Sequence, residues 1–133
     1  MVDLLDIENL VVTRIQNEFS EDLLEKYPNI DFTSTEVSND EPSFPTVYIH
    51  MLPSPEIGQT VEGTDLSGIF ANFQIDVSDN QSKQRTKEVS AEVVRILKTM
   101  RFSINQMPYP ERKDGVFYSI LRARRTIGAG DEF

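Results

Sequence analysis

His50 is the single histidine of a chain that has no cysteine. Any proton relay or activated nucleophile would therefore rest on that one imidazole. A Ser/His/Asp arrangement would need Ser54 or Ser67 beside it, and neither serine carries a flanking signature. A lone histidine on a strand reads more simply as a packed or hydrogen-bonded structural residue. The glycines at 58, 63 and 68 are five residues apart and lack both the Walker pattern and a following Lys-Ser/Thr. Glu56, Glu62 and Asp65 occupy the same segment and would repel phosphate. Their carboxylates are oxygen ligands of the kind Ca²⁺ takes, but they do not follow EF-hand spacing. Asp76, Asp79 and Glu88 could be an acid pair for proton transfer, yet they fall on a polar strand face and beside a helix start. No residue pattern supports catalysis, a metal or a cofactor, so the expectation is a protein that is not an enzyme.

Arginine offers another chemistry. Arg122, Arg124 and Arg125 cluster in the last strand, with Arg112 and Lys113 in the preceding turn region, and arginine forms bidentate pairs with carboxylates or phosphates. A nucleic-acid surface would use them. Against that, the net charge is −9, and nucleic-acid affinity comes mainly from neutralising phosphate. The charge is also unevenly divided. Residues 1–66 hold 14 acids and only two bases, Arg14 and Lys26, for −12; residues 67–133 hold 8 acids and 11 bases, for +3. Such a split suits copies that meet head to tail, acidic face on basic face. The plainer alternative is that the acids simply solvate the loops.

These residues must be positioned by regular elements, and periodicity supplies them. Leu4, Ile7, Leu10, Val11, Ile15 and Phe19 fall on one helical stripe, with Asp3 as N-cap and Asp6 as a favourable charge at the N-terminus. Ser20 interrupts this helix or caps a second turn over Glu21–Lys26, and Pro28 ends it. Ile30–Thr35 alternates as a strand. Val47, Ile49 and Met51 alternate with Tyr48, His50 and Leu52 in the next, bracketed by Pro42, Pro45, Pro53 and Pro55. In the third strand Ile69, Ala71, Phe73, Ile75 and Val77 oppose Asn72, Gln74, Asp76 and Ser78. A helix over Ser82–Met100 carries Val89, Val93, Ile96, Leu97 and Met100. Strands Phe102–Met107 and Val116–Thr126 close the chain, and Asp114-Gly115 between them signals a hairpin.

The expected fold is α+β: a mixed, mainly antiparallel sheet of about five strands with two helices on one face, in the order α-β-β-β-α-β-β. One domain spans 1–133, with long loops at 36–45 and 53–67 and a flexible tail at 128–133. Loops of that length are usually functional or disordered, and here they read as surfaces for other chains. The absence of cysteine excludes disulfides and the thiolates of structural zinc sites. The opening residues have no basic region and carry acids where a signal peptide would be apolar. No run approaches the roughly 20 apolar residues of a membrane span, so the expectation is a soluble protein made in the cytoplasm.

Several features taken together resemble the tail terminator (tail-completion) proteins of long-tailed bacteriophages. They are the chain length and the opening amphipathic helix ending Lys26-Tyr27-Pro28. The Pro-flanked strand Phe44-Pro45-Thr46-Val47-Tyr48-Ile49 adds to these, as does Phe73-Gln74-Ile75-Asp76-Val77 followed by a long helix. The closing hairpin ending Arg122-Ala123-Arg124-Arg125-Thr126-Ile127-Gly128 completes them. The resemblance implies a structural virion protein of the tail or neck, assembled in the host cytoplasm. It implies a hexameric ring on the last ring of the tail tube protein, ending tube polymerisation and meeting the head–tail connector protein. DNA would pass through the pore without specific binding. Within this picture Glu56, Glu62 and Asp65 are candidate pore- or tube-facing acids. Arg112, Lys113, Arg122, Arg124 and Arg125 are candidate contacts to an acidic loop of a neighbouring copy. The alternatives are another neck or head–tail joining protein, a monomeric binding module or assembly chaperone, and a hydrolase centred on His50.

Overall fold

The computed structural model describes residues 4–34, 44–52 and 69–127. The first apolar stripe folds as helix α1, Leu4–Glu18, with Ile7, Val11 and Ile15 wholly buried and Phe19 continuing the line. Leu10 was expected on that stripe but is 45% exposed. It sits at the margin of a face set by the four-residue spacing of its neighbours. Ser20 does break the helix: its backbone N–H donates to the Glu92 carboxylate at 2.9 Å. A separate short helix α2, Glu21–Lys26, follows, so the described chain has three helices rather than two. The Asp3 cap lies outside the described residues.

Five strands form one sheet. They are β1 (Asp31–Thr33), β2 (Thr46–Met51), β3 (Ile69–Asp79), β4 (Ser103–Lys113) and β5 (Val116–Ile127), and the long helix α3, Lys83–Thr99, lies between β3 and β4. Their spatial order is β1-β2-β3-β5-β4. Only β1 and β2 run parallel; the other pairs are antiparallel. The mixed, mainly antiparallel α+β architecture read from periodicity is therefore the observed one.

Alternation decides which way each strand faces. Val47 and Ile49 of β2, Ala71, Phe73, Ile75 and Val77 of β3, and Leu121 and Ala123 of β5 are all fully buried. Registers such as Ile49↔Ile75 and Ile75↔Leu121 line these side chains up across the sheet. Helix α1 covers β1 and β2, while α3 covers β3, β5 and β4 on the same side. From α3, Val89, Val93, Ile96 and Leu97 meet the sheet with no exposed surface. Each such aliphatic side chain contributes about 1.5–3 kcal/mol on burial. Phe73 and Phe102 meet edge to face, with ring centroids 5.7 Å apart, a favoured aromatic geometry.

The start of α3 is held by two acceptors. The Ser82 hydroxyl accepts the Arg85 N–H at 3.2 Å. Buried Asp79 accepts the N–H groups of Gln81 and Ser82 at 2.9 and 3.0 Å. These satisfy donors that a helix N-terminus leaves unpaired. Arg85 Nε also lies 3.2 Å from the other Asp79 oxygen, an ion pair without hydrogen-bond alignment. Asp79 is thus a capping residue and not half of an acid pair.

Two expectations need correction. The first strand is only three residues, Asp31–Thr33, shorter than Ile30–Thr35. The strand expected over Phe102–Met107 continues through Pro108 and Pro110 to Lys113. The stretch from Pro108 to Lys113, expected as the turn region of the hairpin, is instead strand closed by a two-residue turn, with φ of 52° at Asp114 and 79° at Gly115. Positive φ at both central positions is the type I′ signature, whose twist matches a hairpin. The prolines are tolerated because β4 is an edge strand, where a missing N–H can face away from the sheet. Register shifts between Ile104 and Gln106 and between Gln106 and Tyr109 accompany them.

Candidate functional site

Two surfaces hold the residues with recognition chemistry. The first is the sheet face that no described helix covers. Tyr48 and His50 point to it from β2, and their rings stack with centroids 4.4 Å apart and an interplanar angle of 8°. Beside them run Asn72, Gln74 and Asp76 of β3, then Ile120, Arg122 and Arg124 of β5, fixed by the registers Tyr48↔Asp76, Gln74↔Arg122 and Asn72↔Arg124. Gln74 joins its neighbours by donating to Asp76 at 3.0 Å and accepting from Arg122 Nε at 3.1 Å. Burial pushes the Asp76 carboxyl above the ordinary aspartate range. The Gln74 hydrogen bond and the nearby His50 and Arg122 partly oppose this.

The cationic cluster expected from the sequence is divided. Arg122 and Arg124 lie exposed on the open face. Arg125, one position on, points to the helix side and donates to the Met100 carbonyl at 2.9 Å, closing the C-terminus of α3. Arg112 is also on the helix side, its guanidinium 5.2 Å from the centre of the Phe117 ring. Lys113 pairs with Val116 next to the turn. The hairpin tip and the Arg122–Arg124 end therefore form two separate patches. Glu56, Glu62 and Asp65 lie outside the described residues, as do the loop over 53–67, most of the loop over 36–45, and the tail over 128–133.

The second surface is a groove of about 340 Å³ between α3 and β4. Ala91 and Val94 of α3 face Met107, Pro108 and Pro110 of β4, with Lys87 at the rim. Ser90 and Ser119 form its floor, the Ser119 hydroxyl donating to Ser90 Oγ at 3.0 Å. Ser90 in turn donates to the Thr86 carbonyl at 2.7 Å. Met107 is 59% exposed, among the most exposed large apolar side chains described. Sequence reasoning missed this groove because it assigned Pro108–Gly115 to a loop. The signal present was the Asp114-Gly115 turn, whose two-residue loop pairs Lys113 with Val116 and so requires strand up to Lys113.

The two flanks of α3 differ in charge. Lys83, Lys87 and Lys98 share the groove side with Ala91 and Val94 at helical spacing. The acids Glu88 and Glu92 lie on the other flank and are engaged. Glu88 accepts from Lys26 Nζ at 2.8 Å and from the Tyr27 hydroxyl, and Glu92 pairs with Arg95 at 2.7 Å. Hydrogen bonds from Lys26 and then Tyr27 hold the Glu88 carboxyl below its ordinary range. The Arg95 hydrogen bond lowers Glu92 similarly.

Among the described residues no group of three or more His, Asp or Glu could hold a metal ion. No described helix is long and apolar enough to cross a membrane. The chain matches no protein-family model, and no curated protein matches its sequence.

Proposed function

We propose that this chain is a structural assembly protein whose copies join head to tail in a closed ring. Our specific reading is a tail terminator of a long-tailed phage, a virion component without enzymatic activity. One observation carries it: the spatial order of the sheet turns the charge split along the chain into a split across the molecule. Among the described residues, α1, β1 and β2, with Asp6, Glu8, Glu18 and Asp31 against Arg14 alone, lie toward one edge, and the base-rich α3, β5 and β4 lie toward the other. A molecule with unlike edges favours heterologous contacts, which close into rings when the rotation permits.

On this reading the ring is a hexamer that caps the tail tube and offers its opposite axial face to the head connector. Its acidic segments would let DNA pass without adhering. The test is the mass of the purified protein by light scattering over a range of protein and salt concentrations. The expected result is a ring that grows with protein concentration and weakens with salt. A monomer under every condition would overturn charge-driven self-assembly and favour a monomeric binding module.

A further inference from the structure

We infer that the groove between α3 and β4 receives the acidic segment 53–68 of a second copy. This rests on the self-assembly reading and assigns it a contact. The groove is apolar at its centre, with Val94, Met107 and Pro110, and its helix flank carries Lys87 with Lys83 and Lys98 in line. The acids of α3 are on the opposite flank and already paired. A fitting occupant is therefore an extended segment with carboxylates and aliphatic side chains and no base.

Residues 53–68 have that chemistry. They contain Glu56, Glu62 and Asp65 with Ile57, Val61 and Leu66, and neither lysine nor arginine. Their length is a second argument. They join β2 to β3, which are antiparallel neighbours whose ends meet where the Leu52 N–H donates to the Asn72 carbonyl at 2.7 Å. A hairpin at this point needs about 2–5 residues, and the chain spends residues 53–68 on it. Sixteen residues anchored at both ends could extend at most about 25 Å from their base, a span sufficient to meet an adjoining copy. Desolvated aliphatic contacts at the centre with charge pairs at the rim make a usual interface anatomy.

The experiment has two readouts. Oligomer mass is measured for the intact protein and for Lys87→Glu, Met107→Asp and the double variant Lys87→Glu/Glu62→Lys. Binding of a labelled synthetic peptide of residues 53–68 to each protein is measured by fluorescence anisotropy, with circular dichroism to verify folding. The expected result is that either single variant lowers the oligomer fraction and weakens peptide binding at least about tenfold. The double variant should recover assembly at least in part. Oligomers that persist in both single variants, with no peptide binding, would overturn the groove assignment and leave ring formation standing. Peptide binding to a protein that stays monomeric would place the segment on its own groove and overturn the second-copy assignment. No oligomer and no peptide binding would remove both the groove assignment and the assembly reading.

Discussion

Ser119 and Ser90 meet beneath α3, hydroxyl to hydroxyl at 3.0 Å, both almost wholly buried. Ser90 passes the chain on to the Thr86 carbonyl, so each hydroxyl has its partner within the protein. Removing Ser90 leaves the Ser119 hydroxyl without its acceptor, which costs more than the net worth of the bond, whereas Ser90 without Ser119 still donates to Thr86. Ser90→Ala is expected to destabilise by about 1–3 kcal/mol. Ser90→Ala/Ser119→Ala should cost less than the sum of the single changes. Urea unfolding of the four proteins measures this, and strict additivity would count against the pairing.

Glu88 joins the end of α2 to α3 by accepting from Lys26 and Tyr27. Its carboxyl is held low, so its contribution to stability is present above about pH 4.5 and lost as pH falls through the lower folded value. Glu88→Gln should be less stable than the parent at neutral pH, with the difference closing in acid. Melting temperatures from pH 3 to 7 are the measurement, and a gap that stays constant with pH would refute the ionic role.

Asp76 behaves in the opposite sense. Burial raises its pKa above the ordinary 3.8, so the folded protein holds that proton more tightly than the unfolded chain does. Stability is then lost as pH rises through the folded value. Asp76→Asn is expected to be more stable than the parent at neutral pH and equal to it at low pH. The same pH series tests it, and a neutral-pH loss of stability would show that the charged carboxylate is needed on this face.

Gly115 has φ of 79°, and a Cβ built there meets nothing within 4 Å. Replacement by alanine is therefore a conformational cost alone, about 1–2 kcal/mol for a left-handed position. Urea unfolding of Gly115→Ala should register that loss without a change in the slope of the transition.

Much of the fold was legible because burial imposes strict periods. Ile75, with its neighbours two residues away on either side, could only be an inward-facing strand set, and Val89, Val93 and Leu97 only one helix face. Strand β4 was not legible past Met107, since Pro108 and Pro110 deny a central strand but not an edge one. Which strand would be the edge is a property of the whole sheet. The groove was hidden for the same reason. Arg125 was grouped with Arg122 and Arg124 by proximity along the chain. Alternation already placed it on the other face, where it meets Met100. The charge gradient across the molecule needed the order β1-β2-β3-β5-β4, which pattern alone does not fix.

The two outer strands also determine how the protein behaves when crowded. Among the described residues one offers only Asp31–Thr33 as a template, and the other interrupts its backbone donors with Pro108 and Pro110 and shifts its register twice. Neither margin invites another chain to zip onto it and continue the sheet without limit. Concentrated solutions should accordingly resist fibrillar growth, leaving side chains rather than backbone to decide which neighbours are accepted and when growth stops.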